Sequence, residues 1–275
     1  MGFVHWIRGT VYKSSSLLPA RTIVEQGIVW AKTGGGLRNM NSCSEYQHEL
    51  NGLDAEGILK WTIDKFGSGA ALATSFGAED QVLTDLSIAI GRPVRIFTLD
   101  TGRFFQETYD LMHTTMKLYR LQFEVYAPDA DDLARLIEAD GPNLFYESIE
   151  KRKACCAVRK TMPLRRATEG RDAWITGLRK GQSVTRNGTE AIEWDEVHGL
   201  YKISPLHDWT EDQVWAYLRI HSVPFNALHE KGFPSIGCAP CTRAVAPGED
   251  VRAGRWWWEL PEHRECGLHN RPKKG

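Results

Sequence analysis

The sequence predicts an α/β fold, with a mostly parallel, twisted sheet flanked by helices. Short apolar runs alternate along the chain with segments whose apolar residues recur at helical spacing, which is the pattern of consecutive strand–helix units. Two of the apolar runs end in small and polar residues, "TSFGAED" and "TLDTGR". Because ligands bind beyond the carboxyl ends of parallel strands, these two segments are the first candidates for a functional site.

Each predicted element has its own local signal. Apolar residues spaced as on one helix face indicate the helices, and Thr210 with Gln213 has the spacing of a capping box. The predicted helices cover residues 57–66, 77–91 and 105–119, and a fourth begins at Thr210. The predicted strands cover residues 70–76, 94–102, 123–128, 172–179 and 200–206. The last strand is expected near a sheet edge, because Pro205 cannot donate a ladder hydrogen bond.

Composition excludes several classes of protein. At 275 residues, with 42% hydrophobic and 25% charged residues, the chain can bury a core without disulfides. A net charge of −1 gives no general case for nucleic-acid or membrane binding. No segment has the roughly 18–20 apolar residues that span a bilayer, and the N-terminus does not resemble a secretory signal. We therefore expect a reducing, cytoplasmic setting, where paired cysteines are metal-binding or catalytic more often than disulfide-bonded.

The chain divides into three expected parts. Residues 1–45 are an N-terminal extension that is disordered, carries a transit peptide or arises from a start upstream of Met40. Residues 46–250 hold the α/β pattern, and residues 251–275 form a C-terminal tail.

The two strand ends offer polar groups for a ligand. Thr74 and Ser75 begin a strand–turn–helix junction, whose backbone N–H groups could hold phosphate. After Leu99, Asp100 could bind a hydroxyl group and Arg103 an anion. Asp100 could equally cap the helix that follows.

A basic region extends from Lys151 to Arg186, with eleven Lys or Arg residues and two acidic residues. Such a region is commonly a solvated face, but this one contains cysteines and glycines. Its last segment, "GLRKGQSVTR", carries Arg179, Gln182 and Arg186 after a strand end. Guanidinium groups bind phosphate or sulfate with forked geometry, so the segment predicts an anion site.

Four cysteines form two close pairs. Cys155 and Cys156 are adjacent, and Cys238 and Cys241 form a C-x-x-C motif. Four thiolates can hold an iron–sulfur cluster or a zinc ion. Adjacent ligands are unusual for zinc, whereas a cluster accepts neighbouring thiolates on different irons. A cluster, a zinc ion and a site with no metal all stay open on the residues alone.

Cys266 lies apart from these pairs, near the C-terminus in "RECGLH". An ionised thiol is a good nucleophile, and neighbouring cations lower the pKa of a thiol. Arg252, Arg255 and Arg264 precede it. A mobile tail could carry such a thiol to a bound substrate, although an inert terminal thiol would have the same local sequence.

Taken together, these segments resemble the assimilatory adenylyl-sulfate reductases of the adenylyl-/phosphoadenylyl-sulfate reductase family. The similar segments occur in the family's order over about residues 60–270. They are "SFGAED", "TLDTGR", "ACCAVRK", "GLRKGQSVTR", "GCAPCTRAV", "RAGRWWWE" and "ECGLH". The resemblance implies an adenine-nucleotide α-hydrolase-like fold and membership of the adenylyl-sulfate branch, because that branch carries both cysteine pairs.

The resemblance also implies roles for individual residues. Cys155, Cys156, Cys238 and Cys241 would hold a 4Fe-4S cluster, and Cys266 would be the nucleophile. The implied substrate-binding residues are Thr74, Ser75, Leu99, Asp100, Arg103, Lys160, Arg179, Gln182, Arg186, Arg252, Arg255 and His269. The implied reaction, in sulfate assimilation and cysteine biosynthesis, reduces adenylyl sulfate to sulfite and AMP through a cysteine S-sulfonate.

The resemblance implies partners as well. No thioredoxin-like segment follows His269, so an external thioredoxin or glutaredoxin is expected as reductant, and a homo-oligomer is plausible for the family. Neither nucleic acid nor a membrane is expected as a partner. The alternative within the family is a 3′-phosphoadenylyl-sulfate reductase. Outside it, an ATP pyrophosphatase-type adenylyl transferase would carry an S-G-G-x-D-S loop that this chain lacks, and a regulatory metal protein would leave Cys266 without a role.

Overall fold

Six strands form the central sheet of the protein. The computed structural model describes residues 40–92, 94–182, 186–260, 264 and 268. The strands are β1 (Ala70–Thr74), β2 (Arg95–Thr98), β3 (Glu124–Val125), β4 (Ala173–Ile175), β5 (Ile192–Asp195) and β6 (Leu200–Ile203). Their order across the sheet is β3-β2-β1-β4-β6-β5. The predicted α/β class is confirmed, because every pair except β5–β6 is parallel.

Eight α-helices precede, connect or follow the strands along the described part of the chain. They are α1 (Met40–Leu50), α2 (Ala55–Phe66), α3 (Ala78–Ala89), α4 (Gln106–Tyr119), α5 (Ala130–Asp140), α6 (Ile149–Cys156), α7 (Met162–Thr168) and α8 (Glu211–Ile220). Local sequence explains several of their ends. The Asp54 carboxylate caps α2 by accepting from Gly57 N, and α3 ends just before Gly91, whose φ of 72° suits glycine.

The predicted capping box at α8 is confirmed. The Thr210 hydroxyl accepts from Gln213 N at 3.2 Å, and the Gln213 side chain accepts from Thr210 N at 2.8 Å. Two of the N–H groups left unpaired at the helix start are satisfied in this way.

Residues 200–206 lie near a sheet edge, as predicted, but for a different reason from the one that Pro205 suggested. Strand β6 pairs with β4 on one side and β5 on the other, so it is an inner strand. It ends at Ile203, before Pro205, so the proline removes no ladder hydrogen bond. The antiparallel strand β5 occupies the edge instead, and its short run, Ile192–Asp195, was not predicted.

The main core lies between the sheet and the helices. Leu72, Leu83, Ile175 and Ile203 are fully buried in it. The predicted strands at β2, β3 and β4 are present but shorter than their apolar runs. The loops that follow the strands, rather than the strands themselves, carry the polar residues discussed below.

Between α6 and α7 the chain forms a π-helix over Ala157–Thr161. Helix α6 carries Cys155 and Cys156, and the π-helix carries Arg159 and Lys160. A π-helical turn is wider than an α-helical turn and is frequent at functional sites. Lys160 therefore follows Cys156 in a widened helical turn.

No helix among the described residues is long and apolar enough to cross a membrane.

Candidate active site

A cavity of about 260 Å³ opens at the carboxyl ends of β1, β2 and β4. The loops that follow these strands and the segment before Cys238 form its walls. Of the predicted substrate-binding residues, the cavity brings together Thr74, Ser75, Leu99, Lys160, Arg179, Gln182, Arg186, Arg252 and Arg255. These residues lie far apart in the sequence, and the strand order places them around one opening.

The walls of this cavity differ in chemical character. Ala73, Phe97, Leu164 and Trp174 make an apolar part. Lys160, Arg186, Arg252 and Arg255 contribute positive charge. A nucleotide with an aromatic base and an anionic group has matching chemistry, because stacking surface and cations are available in one cavity.

Arg255 is held in place before any ligand arrives. Its guanidinium donates to Ser235 Oγ and to the Ile236 carbonyl, both at 3.2 Å, and it lies over the Trp256 ring at 4.8 Å. Only 7% of the residue is exposed. Gly237 is required beside it, because a Cβ atom at that position would overlap the guanidinium.

Arg179 lines the cavity, but its charge is matched within the protein. Its Nε donates to Glu79 Oε1 at 2.8 Å, and a second nitrogen donates to the Trp209 carbonyl at 3.2 Å. Gln182 organises the same loop: its Oε1 accepts from Arg179 N at 3.1 Å and from Arg186 at 2.6 Å. The loop is thus an internally bonded unit, with Arg179 tied to Glu79 rather than open to an anion.

The strand–helix junction after β1 also differs from the sequence expectation. Its N–H groups were expected to hold phosphate, but Ser75 N donates to Asp80 Oδ2 at 2.6 Å and Ser75 Oγ donates to the same atom at 2.8 Å. Burial raises the pKa of Asp80 to about 6, and the Glu79 charge adds to this, while the Ser75 donors act in the opposite direction. A carboxylate of the chain therefore occupies the junction.

Asp100 and Arg103 do not line the larger cavity. The Asp100 carboxylate accepts from Gly102 N at 2.8 Å and from Tyr109 Oη at 2.9 Å, which closes a turn. Burial, together with the charge and hydrogen bond of Asp100, raises the pKa of Tyr109 to about 12. Arg103 donates to the Pro142 carbonyl and lies over the Phe145 ring, in the wall of a second cavity.

Cys266 and His269 lie outside the described residues. Two residues near them are described. Arg264 donates to the Glu259 carbonyl at 2.9 Å, and its own carbonyl accepts from Arg252 at 3.0 Å. Leu268 lines the large cavity and packs with the apolar cluster that includes Phe97 and Trp174.

The second, smaller cavity is lined by all four paired cysteines: Cys155, Cys156, Cys238 and Cys241. Cys155 comes from α6, whereas Cys238 and Cys241 flank a single 3₁₀ turn. Three of the four, Cys155, Cys238 and Cys241, are less than 9% exposed. No described cysteine forms a disulfide, and the adjacent Cys155 and Cys156 are not bonded to each other.

Cations surround these thiols. Arg103, Arg152, Arg159 and Lys160 line the cavity with them. Burial would raise the pKa of Cys238, but Lys160, the Thr101 hydroxyl and Arg255 outweigh it, and the pKa lies below its ordinary value. Thr101 Oγ1 lies 3.3 Å from Cys238 Sγ.

At Cys155 and Cys241, burial outweighs the nearby cations. Burial raises the pKa of Cys155, and burial with the nearby Cys238 and Cys156 raises the pKa of Cys241 to about 12. Thiols that are placed so close together are costly to ionise at once unless positive charge is bound among them.

Two donors near the cysteines have no partner among the described residues. They are Arg159 Nε and Trp256 Nε1, both buried. Trp256 is 1% exposed and packs in the same cluster as Cys155, Cys238 and Cys241. Buried N–H groups without acceptors are uncommon, and the sulfur atoms of a bound cluster would supply acceptors.

The donor set has the chemistry that a thiolate-bound cluster would require. Within the described part of the chain, no three Cys, His, Asp or Glu side chains are arranged to hold one metal ion. Four thiols in one wall, surrounding cations and two unpartnered N–H donors suit a larger anionic group with several metal atoms.

The sequence did not single out several residues of the two cavities. Asp80 and Glu79 occupy the junction after β1, and Arg159 and Trp256 stand beside the cysteines. Arg159 lies next to Lys160 within "ACCAVRK", and Trp256 follows Arg255. Their positions beside predicted site residues could have marked them as candidates. Only the packing shows which way each side chain lies.

The two cavities share Lys160 and Cys238 in their walls, so they adjoin each other. A cavity with apolar and cationic walls therefore lies beside four cysteines, on an adenine-nucleotide α-hydrolase-like fold. A family profile described as the phosphoadenosine phosphosulfate reductase domain matches residues 69–244. The chain belongs to the phosphoadenosine phosphosulfate reductase family.

Curated relatives have high identity over most of their lengths. An adenosine 5′-phosphosulfate reductase from Allochromatium vinosum is 56% identical over 199 residues, which are 72% of this chain and 78% of the relative. The enzyme of the same name from Agrobacterium fabrum is 48% identical over 223 residues, covering 80% and 84%. That from Burkholderia cepacia is 50% identical over 197 residues, covering 72% and 79%.

Solved structures agree with the fold. A phosphoadenylyl-sulfate reductase from Candida auris, in a phosphate complex, superposes with a TM-score of 0.65 at 28% identity. The match covers 75% of this chain and 98% of that one. A variant of FMN adenylyltransferase from Candida glabrata, at 16% identity and a TM-score of 0.51, shares the fold alone.

Proposed function

We propose that the protein is an oxidoreductase that reduces adenylyl sulfate to sulfite and AMP with a dithiol protein as reductant. The observation that carries this proposal is the junction of the two cavities at Lys160 and Cys238. It puts a nucleotide-sized pocket with cations directly beside four cysteines. The names of the curated relatives support the same activity.

The pocket walls suggest how adenylyl sulfate would bind. The adenine would lie in the apolar part near Leu99 and Trp174, where Thr74 and Ser75 line the adjoining wall. The phosphate and sulfonate groups would lie against Lys160, Arg252 and Arg255. A preorganised cation at a developing charge contributes about 3–4 kcal/mol to a transition state.

The proposed chemistry has two stages. The Cys266 thiolate attacks the sulfur of the sulfonate, a sulfur–sulfur bond forms, the sulfur–oxygen bond breaks, and AMP leaves with the electron pair. A thiolate of the reductant then attacks Cys266 Sγ, and sulfite leaves with its electron pair. The second thiol of the reductant releases Cys266 and becomes part of a disulfide, which supplies the two electrons of the reduction.

Cys155, Cys156, Cys238 and Cys241 are the residues proposed to hold a 4Fe-4S cluster. With four cysteine ligands the cluster has no open iron, so it would act through its charge and its effect on nearby side chains. Lys160 lines both cavities, and so does Cys238. The Lys160 ammonium group would remain oriented between the thiolates and the sulfonate, where it offsets negative charge on the leaving phosphate.

The proposal extends to partners and setting. A thioredoxin or glutaredoxin is the proposed reductant, in a cytoplasmic protein that forms a homo-oligomer. The free thiols of Cys155 and Cys241 support the proposed setting, because thiols stay reduced in the cytoplasm.

Intact-mass measurement under anaerobic conditions tests the reaction. Purified protein is incubated with adenylyl sulfate and no reductant, and any added mass is mapped by peptide. One SO₃ on the Cys266 peptide, released as sulfite by thioredoxin, is expected. An adduct only with the 3′-phosphorylated nucleotide would indicate the sister activity, and no adduct with either nucleotide would refute the proposed reaction.

The Lys160→Ala variant tests the role proposed for that lysine. Turnover is expected to fall by roughly 10²-fold or more, with iron and sulfide content unchanged. Lys153→Ala is a matched control, because Lys153 lies on α6 next to the cysteines but is exposed and lines neither cavity. Normal turnover of Lys160→Ala with its cluster intact would contradict the role.

A further inference from the structure

The junction between β1 and α3 has the backbone shape of an anion site. Phe76 has a φ of 62°, an unusual value for a bulky residue, and its ring is buried against Phe123. At this turn Ser75 N and Gly77 N face the Asp80 carboxylate, while Phe76 N donates to Thr74 Oγ1, at the start of a 12-residue helix. Such N–H groups favour phosphate groups of a ligand.

Asp80 occupies that position from inside the chain. Its Oδ2 accepts from Ser75 N at 2.6 Å and from Ser75 Oγ at 2.8 Å, and Gly77 N also faces the carboxylate. Asp80 is 9% exposed. The carboxylate therefore uses the same N–H groups that a phosphate would need.

The Asp80 carboxylate packs closely against Gly177 on the side away from Ser75 N. A Cβ atom at Gly177, which follows β4, would lie 2.5 Å from Asp80 Oδ1 and 2.9 Å from the Glu79 side chain. Asp80 thus fills the gap between the ends of β1 and β4. Glu79 also lines the cavity and adds negative charge, part of which Arg179 balances at 2.8 Å.

We infer that Asp80 is a specificity-determining residue that excludes nucleotides carrying a di- or triphosphate chain from the pocket. Its carboxylate stands in for the pyrophosphate that an ATP-like ligand would place on the junction. A ligand with a single phosphate and a sulfonate avoids this position, because its anionic groups extend toward Lys160, Arg252 and Arg255. The inference rests on the proposed function only for the direction in which the substrate lies.

The physical reason is repulsion combined with occupied donors. A phosphate at the junction would lie within a few ångströms of the carboxylate, and like charges at that distance repel strongly in a partly buried site. The same phosphate would find the Ser75 N–H already bonded. Removal of the carboxylate should reverse both effects.

Direct binding measurements test the inference. The probes are inorganic pyrophosphate, ATP and AMP, titrated calorimetrically into the holo protein under anaerobic conditions. Wild type is expected to bind AMP and to bind pyrophosphate poorly. Asp80→Ala is expected to bind pyrophosphate and ATP about tenfold tighter or more, and Asp80→Asn to gain less, because the amide removes the charge but still fills the space.

Asp85→Asn is the matched control. Asp85 lies on the same helix, and its carboxylate accepts from Tyr119 and Tyr217, away from the cavity. This variant makes the same chemical change and should keep the wild-type pyrophosphate affinity.

Unchanged pyrophosphate and ATP affinities in both Asp80 variants, with AMP binding retained, would overturn the inference. If Asp80→Ala does not fold, Asp80→Asn decides alone, because it keeps the shape of the side chain. Pyrophosphate binding by wild type as tight as AMP binding would also overturn it. If the Asp80 variants bind as expected but wild type does not turn over adenylyl sulfate, the proposed function is refuted and this inference stands.

Discussion

The arginines of the site are held in place by contacts with neighbouring residues. Arg255 is fixed by Ser235 and Ile236, and Arg179 is fixed by Glu79. The motifs in the sequence identified both arginines, but they did not distinguish a cation available to a ligand from one matched by a carboxylate. That distinction depends on Glu79, which is one hundred positions from Arg179 in the chain.

Gly237→Ala tests the placement of Arg255. The new Cβ would overlap the guanidinium, which is the far end of a flexible side chain, so the arginine should move and the fold should survive. Turnover of adenylyl sulfate is expected to fall about tenfold or more, since one preorganised cation is lost from the pocket. Steady-state kinetics with the melting temperature as control measure this. Wild-type kinetics in a variant with unchanged melting temperature would show that Arg255 does not need its observed position.

At the scale of elements, α6 and the C-terminal segment are joined by a buried ion pair. Arg152 donates to both carboxylate oxygens of Glu259 at 2.8 Å. The two side chains are 1% and 3% exposed, and the Arg152 guanidinium lies over Trp256. The pair connects the helix that carries Cys155 to the segment that leads toward Cys266.

Glu259→Ala should therefore be strongly destabilising. It leaves Arg152 buried without its carboxylate, which typically costs about 3–5 kcal/mol. The double change Arg152→Met with Glu259→Leu should recover much of that loss, because no charge is left uncompensated. Urea unfolding of the three proteins measures this. A double variant no more stable than Glu259→Ala would show that packing, rather than the unpaired charge, dominates.

The capping box of α8 gives a smaller effect. Thr210→Ala removes the acceptor for Gln213 N and should lower the free energy of unfolding by about 1 kcal/mol. Thr210→Ser is the control, since it keeps a hydroxyl group in the same place and should stay near wild type. Equal stabilities for the Ala and Ser variants in urea unfolding would argue against a contribution of the cap.

At the scale of the whole molecule, Asp80 makes stability depend on pH. Its pKa is raised from 3.8 to about 6 by burial, so the folded state keeps a proton that the unfolded state has lost. The stabilising contribution is complete below the unfolded pKa and disappears as pH rises through the folded pKa.

The free energy of unfolding is expected to fall by about 3 kcal/mol between pH 4 and pH 6. The Asp80→Asn variant should not show this fall. Stability is measured by denaturant unfolding at several pH values in that window. If the free energies of unfolding of wild type and Asp80→Asn change in parallel with pH, the raised pKa of Asp80 is contradicted. Asp85→Asn serves again as control, because it changes a carboxylate on the same helix outside the junction.

Much of the fold could be predicted from the chain itself. The apolar runs at β1, β2 and β4 and the capping box at α8 depend on neighbouring residues, and each was found in its expected place. The edge strand β5, whose short run is "IEWD", was missed. That β6 pairs on both sides could not be predicted locally, because strand order depends on contacts distant in the chain.

The sequence by itself determined the fold class, the family and the residue types of the site, because each rests on motifs whose members are close together in the chain. Tertiary structure decided how those motifs combine. It brought the two cysteine pairs into one wall beside Lys160, separated Asp100 and Arg103 from the larger cavity, and put Asp80 where a phosphate was expected. These outcomes depend on long-range packing and on competition for the same N–H groups, which no local pattern records.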